Sequence, residues 1–252
     1  MLIQSGFVED PLTGAQNLWP LTSSMSAQAL IMLGRAADNT NNISILAQAD
    51  DIASPTAGWG LALRGSVLTA FAVDDIGEST AVFDLASLPQ SQGQLLHVGM
   101  SYADGGNIIL TVNGATANST AMGGTSFVNA NVVPWVGASD AAGVNPAVDV
   151  FEIVSLMYND QLSISNVVGF QDALDFGFFN TDGSGNGMAN ADYVYNMRQS
   201  VLRNPTDFVA NATAAAQLIN QGTTQNAGLS AGNITCVGVG NLTVQNRPLR
   251  VG

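Results

Sequence analysis

The amino-acid sequence predicts a mainly β protein, and three observations support this class. The strong helix formers Lys and Glu are almost missing, since the chain has no lysine and three glutamates. Glycine is abundant at 27 residues, and Asn, Ser, Thr and Val are frequent, which favours strands and turns. Short apolar runs also alternate with turn residues along much of the chain.

The charge balance excludes several classes of protein. The net charge is −13, and all six cations are arginines, so neutralising phosphates of a nucleic acid or docking on an anionic membrane is not expected. The hydrophobic fraction of 46% excludes a disordered chain. No apolar run reaches the length of a membrane span, and residues 1–6 lack the pattern of a secretory signal peptide.

Hairpin signals dominate the middle of the chain. Glycines at turn positions separate apolar runs at hairpin spacing, and Asn113-Gly114 favours a type I′ turn. The run that ends at Tyr158 is apolar on both faces, which predicts an internal strand. The predicted strands are Ala27–Leu33, Ile43–Ala47, Gly58–Leu63, Val67–Val73, Leu95–Tyr102, Ile108–Val112, Val132–Val136 and Val148–Tyr158.

The pattern divides the chain into four parts. Residues 1–24 are predicted to be an extended lead-in, and residues 25–175 one β domain. Residues 176–222 are predicted to be a loop plus a helical segment, because apolar residues recur at helical spacing over 192–202 and Asn204-Pro205 suits a helix start. Residues 223–252 form either a hairpin packed on the domain or an extended arm that reaches a neighbouring subunit.

Several of these segments carry a family resemblance. The hairpin from Leu95 to Gly114, with its His-Val and Leu-Thr-Val-Asn-Gly pieces, resembles the concanavalin A-like/laminin-G-like jelly-roll family. Gly58–Leu63 is similar to the family's Gly-Trp-x-Leu strand, and Val150–Ser163 to its last core strand and following turn. The resemblance covers about 25–172 and implies a concanavalin A-like sandwich of two antiparallel sheets. It implies no single function, because lectins, glycosidases and structural modules share this architecture.

The residues do not form a catalytic set. Asp149 and Glu152 are separated by an odd number of positions, so a regular strand points them to opposite faces, unlike a glycosidase pair. The single histidine, His97, lies in an apolar strand and is predicted to be structural. Cys236 is predicted to be a buried thiol, and one His with one Cys does not make a zinc site. The chain is therefore predicted not to be an enzyme.

Three candidate binding sites are predicted. Asn180, Asp182 and Ser184 space oxygen ligands at alternate positions with a glycine at the sixth, as in a calcium loop, although the acid expected at position twelve is missing. Asp74-Asp75 and Asp140 are placed on loops at the rim of the sandwich, where family members bind calcium. Trp135 with Asp140 forms a candidate rim site for a glycan, the alternative for Trp135 being a place in the core.

These observations predict a non-enzymatic structural protein of a virus particle, a capsid decoration or cement protein on the outside of a bacteriophage head. The reasons are the missing catalytic set, the charge-poor surface without lysine and the segments beyond the jelly roll. The alternative is a carbohydrate-binding adhesin or receptor-binding fibre component. The expected partners are the major capsid or other virion proteins, further copies in a homo-oligomer and a surface glycan, with no nucleic acid and no membrane. The chain is expected to be made in the host cytoplasm and placed on the virion surface, without a cofactor other than calcium.

Overall fold

The computed structural model describes residues 6–9, 19, 21, 24–88, 94–103, 106–140, 144–145, 147, 150–159, 193–196, 217–218 and 233–235. These residues form 14 strands, arranged as an eight-stranded and a six-stranded antiparallel sheet. The predicted mainly β class with two antiparallel sheets is confirmed. Among the residues that the structure describes, no helix has the length and hydropathy of a membrane span.

The eight-stranded sheet has the order β13-β14-β1-β10-β3-β4-β5-β6. The strands β3 to β6 are a meander of consecutive antiparallel neighbours, whereas β1, β10, β13 and β14 come from distant parts of the chain. The strand bounds are Gly6–Glu9 (β1), Asn42–Ala49 (β3), Gly58–Arg64 (β4), Val67–Val73 (β5), Glu78–Asp84 (β6), Trp135–Val136 (β10), Gln217–Leu218 (β13) and Asn233–Thr235 (β14).

The six-stranded sheet has the order β12-β11-β2-β7-β8-β9. Its strands β7, β8 and β9 form a second meander. The strand bounds are Ser24–Leu33 (β2), Leu95–Ala103 (β7), Asn107–Val112 (β8), Ala115–Ala121 (β9), Phe151–Asn159 (β11) and Tyr193–Asn196 (β12). Two short 3-10 helices, Ala36–Asp38 and Leu85–Ser87, lie in the connections.

The predicted hairpins are confirmed. The strands β4 and β5 pair through a turn at Gly65, whose φ of 59° lies in the left-handed region. The strands β7 and β8 pair from Val98↔Val112 to Tyr102↔Ile108. Asn113 and Gly114 have φ values of 51° and 78°, the two positive values that a type I′ turn requires.

Three large aromatic side chains fill the space between the sheets. Trp19, Trp59 and Tyr158 are each at most 1% exposed. The Tyr158 ring stacks on Trp19 at a centroid distance of 4.9 Å and on Trp59 at 5.5 Å. The Trp59 indole N–H donates a 2.9 Å hydrogen bond to the carbonyl oxygen of Trp19. The expectation that Trp59 lies in the core is therefore confirmed.

A second apolar cluster lies on the outer face of the large sheet. The ring of Phe71 packs over Gly60, because a Cβ at Gly60 would be 2.5 Å from Phe71 Cε1. The Arg64 guanidinium lies over this ring, 4.6 Å from its centroid, and pairs with Glu78. Trp135 belongs to the same cluster. Both faces of this sheet therefore carry buried apolar residues.

The structure differs from the prediction in the outer segments. Tyr193–Asn196, predicted helical, is strand β12 and pairs with β11, and Gln217–Leu218 is strand β13. The run of apolar residues is too short to distinguish the helical period from the strand period, and Tyr and Val also favour strands in a sheet. Part of the predicted lead-in is β1, which joins the large sheet, and β10 is shorter than the predicted 132–136 strand.

Residues 233–235 of the predicted arm or hairpin are strand β14, which pairs with β1 and β13 of the same chain. These three residues therefore follow the alternative in which the segment packs on its own domain. The remainder of 223–252 lies outside the described residues, so the arm stays a prediction there.

Candidate functional site

Three loop segments meet at one end of the sandwich. They are residues 50–57 between β3 and β4, residues 74–77 between β5 and β6, and residues 122–129 after β9. The backbone joins them: Gly58 N–H donates to the Val128 carbonyl, and Val128 N–H donates to that of Val73, at 2.6 and 3.0 Å. We call these three segments the loop end. Binding residues of β-sandwiches commonly lie on such loops, which a rigid scaffold positions.

Asp74 fastens the 74–77 turn to the 122–129 segment. Its Oδ1 accepts the N–H groups of Ile76 and Gly77 at 2.9 and 3.0 Å, and its Oδ2 accepts the N–H of Gly124 at 2.7 Å. The side chain is only 5% exposed. Burial, the largest single influence, raises the pKa of Asp74, but the hydrogen bonds from Ile76, Gly124 and Gly77 together outweigh it and hold the pKa below its usual value.

Asp75 adds a second fastening. Its Oδ1 accepts the N–H groups of Thr125 and Ser126 at 2.8 and 3.3 Å, and its Oδ2 accepts the Thr125 hydroxyl at 3.2 Å. The hydrogen bonds from Thr125 and Ser126 lower the pKa of Asp75. A Cβ at Gly124 would overlap both carboxylates, so a larger residue there would displace the side chains of Asp74 and Asp75. The two aspartates thus fix a segment fifty residues away in sequence.

Asp50 closes the third segment. Its Oδ1 accepts the N–H groups of Thr56 and Ala57 at 2.9 and 3.0 Å, and its Oδ2 accepts the Thr56 hydroxyl. Burial raises the pKa of Asp50, but these hydrogen bonds outweigh burial and leave the pKa lowered. Asp51 accepts the N–H of Ala53 at 2.7 Å. Each loop therefore donates hydrogen bonds to a carboxylate whose pKa lies below its usual value.

The solvent side of the loop end is both polar and apolar. Ile76 is 75% exposed at the tip of the 74–77 turn, and Val128 is 37% exposed. The side chains of Ser54, Thr56, Thr125 and Ser126 are exposed around them. The arrangement combines hydroxyl groups with aliphatic surface on loops that do not have to be ordered on binding.

Calcium binding by Asp74 and Asp75 at the loop end stays a prediction. The four carboxylate oxygens of Asp74 and Asp75 already accept hydrogen bonds from the loops. Within the described residues, no three His, Cys, Asp or Glu side chains form a group that could hold a metal ion. The predicted calcium ligands Asn180, Asp182 and Ser184 lie outside the described residues, so that site stays a prediction.

Of the two residues predicted to form the glycan rim site, Trp135 is buried and Asp140 is exposed. Trp135 is 2% exposed, and its indole N–H donates to the Ala138 carbonyl oxygen at 3.2 Å, so it occupies the core position that was its alternative. Asp140 is exposed and accepts the N–H of Val144 at 3.1 Å. Since Ser139 donates to the Asn42 carbonyl at the start of β3, Asp140 lies at the end of the sandwich opposite the loop end. Glycan binding at Trp135 and Asp140 stays a prediction.

His97 is buried on the outer face of the small sheet, as expected of a structural histidine. It is 0% exposed, and its Nε2 lies 2.9 Å from Gln28 Oε1. In the strand register Gln28 of β2 pairs with Gly99 of β7, and Gly99 pairs with Thr111 of β8. Burial lowers the pKa of His97 to about 4, so the imidazole is neutral at pH 7.

This burial predicts a pH dependence of stability. Because the pKa of His97 is about 4 in the folded chain and about 6.5 when unfolded, the unfolded chain binds an extra proton between these values. The stability is fully present above pH 6.5 and falls by on the order of 2–3 kcal/mol as pH drops to about 4. Urea unfolding at pH 7.5, 5.5 and 4.5 measures this loss, and H97Q should lose less over the same range. Equal losses in both proteins would contradict the assignment.

Comparisons with known proteins support no family assignment. No protein-family model and no curated protein matches the sequence. Among solved structures, the chain is similar to the receptor binding domain of botulinum neurotoxin D, with a TM-score of 0.47 and 15% identity over 64% of this chain and 39% of that one. It is also similar to the botulinum neurotoxin serotype D ligand binding domain in complex with N-acetylneuraminic acid, with a TM-score of 0.45 and 15% identity over 59% and 36%. This chain thus spans little more than a third of those chains, and a likeness at these scores carries no functional argument.

Proposed function

We propose that the chain is a non-catalytic recognition module of the lectin-like kind and that its loop end binds a carbohydrate. The observation that carries this proposal is the locking of three exposed loops by Asp50, Asp74 and Asp75. Ordering these exposed loops adds little to the stability of the core. A ligand, in contrast, gains affinity when the loops it meets are already ordered.

The exposed groups at this end suit a sugar. A sugar ring offers hydroxyl groups at its edge and an apolar C–H face. The Ser126 hydroxyl can donate to the sugar hydroxyls and accept from them, the Thr125 hydroxyl can accept from them, and Ile76 can cover the apolar face. Pockets for small ligands combine apolar surface with a few placed polar groups in this way.

A binding experiment tests the proposal directly. The purified chain is applied to a glycan array with calcium and with a chelator, and hits are measured by calorimetry. We expect I76S to weaken binding at least about tenfold, since it removes the aliphatic contact. The matched control is V144S, because Val144 is another exposed aliphatic residue, at 50%, and lies at the opposite end of the sandwich.

The outcomes separate the possibilities. If I76S and V144S weaken binding equally, or if neither variant weakens it, the ligand binds elsewhere and the loop-end proposal is contradicted. Binding that requires calcium would bring in the predicted ligands Asn180, Asp182 and Ser184. No glycan bound under either condition would remove the carbohydrate proposal.

The second candidate function is a structural part of a virus particle, a capsid decoration or cement protein on the virion surface. It is supported by the charge-poor composition without lysine. Mass spectrometry of purified particles tests it through the copy number relative to the main shell protein. Hundreds of copies would support decoration, a handful would support a receptor-binding fibre, and absence from particles would contradict both.

A further inference from the structure

Two edge strands lie side by side on one flank of the sandwich. Among the strands that the structure describes, β6 ends the large sheet and β9 ends the small sheet. An edge strand presents backbone N–H and C=O groups that can pair with a strand of another molecule. The flank formed by β6 and β9 is therefore one place, besides the terminal strands β13 and β12, where self-association through strand pairing has to be prevented or used.

One side chain serves a backbone group on both edges. The Asn118 side chain donates from Nδ2 to the Val82 carbonyl oxygen of β6 at 2.9 Å. Its Oδ1 accepts the backbone N–H of Ser119 in β9 at 2.7 Å. Asn118 thus satisfies one acceptor on the first edge and one donor on the second, and it ties the two sheets together at this flank.

The two edges differ in their other protection. The β6 strand begins with Glu78 and ends with Asp84, and charged residues on an edge discourage pairing. The β9 strand, Ala115–Ala121, has the sequence ATANSTA, without a charge or a proline, and its pairing with β8 is interrupted by one register shift, at Ala117. In a chain of net charge −13, β9 is a surface where two copies can meet without like charges in contact.

We propose that Asn118 is an edge cap and that β9 is a pairing surface for a second copy of this chain, which the cap keeps closed. When the cap is removed, the Ser119 N–H and the Val82 carbonyl lose their partners. Two β9 strands then pair antiparallel about a two-fold axis, which joins the two small sheets into one continuous sheet. The partner is a second copy because β9 matches itself in an antiparallel pair without a charge on either side.

The experiment compares the masses of single variants by analytical ultracentrifugation over a wide concentration range. N118A is expected to self-associate at least about tenfold more tightly than the wild-type chain, whatever the wild type's own mass. The matched control is N107A. Asn107 lies on the neighbouring strand β8 and donates to the Ser119 hydroxyl at 2.8 Å, so its loss uncovers no backbone group. N107A is expected to keep the wild-type mass.

Two further variants identify the surface. In N118D the carboxylate still accepts the Ser119 N–H and adds a charge to β9, so this variant should not associate. The double variant N118A/T116K places a lysine at an exposed position of β9 and should abolish the association of N118A. Circular dichroism confirms that each variant retains the wild-type spectrum at the temperature used.

The contrary results are equally plain. A wild-type mass for N118A, association of N107A to the same degree, or association of N118A that survives T116K would each overturn the proposal. In the last case the new contact would lie away from β9. Glycan binding at the loop end does not enter any of these measurements.

Discussion

G58A is expected to destabilise the chain by at least about 3 kcal/mol, which lowers the melting temperature by roughly 6–12 °C. Gly58 begins β4 with a φ of 98°, a region that residues with a Cβ rarely adopt. A Cβ at this position would overlap the Gln48 carbonyl oxygen and lie 2.6 Å from Ala49 Cα. Both are backbone atoms of the neighbouring strand β3, which cannot move without opening the sheet.

The matched control for this prediction is G65A. Gly65 also has a positive φ, of 59°, but the nearest atom to its added Cβ is the Asn39 carbonyl oxygen at 3.6 Å. It therefore carries the conformational cost alone, about 1–2 kcal/mol. Urea denaturation followed by tryptophan fluorescence measures both variants. If G58A cost no more than G65A, the close approach of β3 and β4 at Gly58 would be wrong.

W59A is expected to cost about 3–5 kcal/mol, a large share of the 5–15 kcal/mol that usually separates folded from unfolded chains. The Trp59 indole is 0% exposed and stacks on Tyr158, so its removal leaves a cavity between the sheets. It also removes the hydrogen bond to the Trp19 carbonyl oxygen. The free energy of unfolding from urea titrations, with the slope of the transition checked against the wild type, gives the value.

W59F separates the two contributions. It keeps an aromatic ring beside Tyr158 but loses the indole N–H, which leaves the Trp19 carbonyl without this donor and should cost about 1–3 kcal/mol. W59A should therefore be clearly worse than W59F. Equal losses would mean that the hydrogen bond matters and the ring packing does not, contrary to the close contacts of the three aromatic side chains.

The sequence predicted the elements whose signals are local. The β7–β8 hairpin and the Asn113-Gly114 turn follow from apolar runs and from residues that accept positive φ, and both require only neighbours in sequence. The β9 strand was not predicted, because Ala115–Ala121 has small and polar residues without an apolar alternation. Its strand conformation comes from pairing with β8, which is a tertiary effect.

The candidate site was predictable in part. The pair Asp74-Asp75 was placed on a rim loop from the sequence, and the structure agrees. Its bonding to residues 124–126 was not predictable, because the contact joins segments that only the packed sheets bring together. The same holds for Trp135, whose indole ring could have faced solvent or core and is buried by the cluster around Phe71.

The pairing of β1 with β14 has a consequence for how the chain folds. Residues 6–9 and 233–235 lie side by side in the large sheet, although most of the chain separates them in sequence. Contacts between such distant residues slow folding, because a long loop has to close before they form. During synthesis the β4–β5 and β7–β8 hairpins can form as they leave the ribosome. The strand that completes this part of the sheet is made far later, and until then β1 has an unpaired edge that a chaperone or another nascent chain can bind.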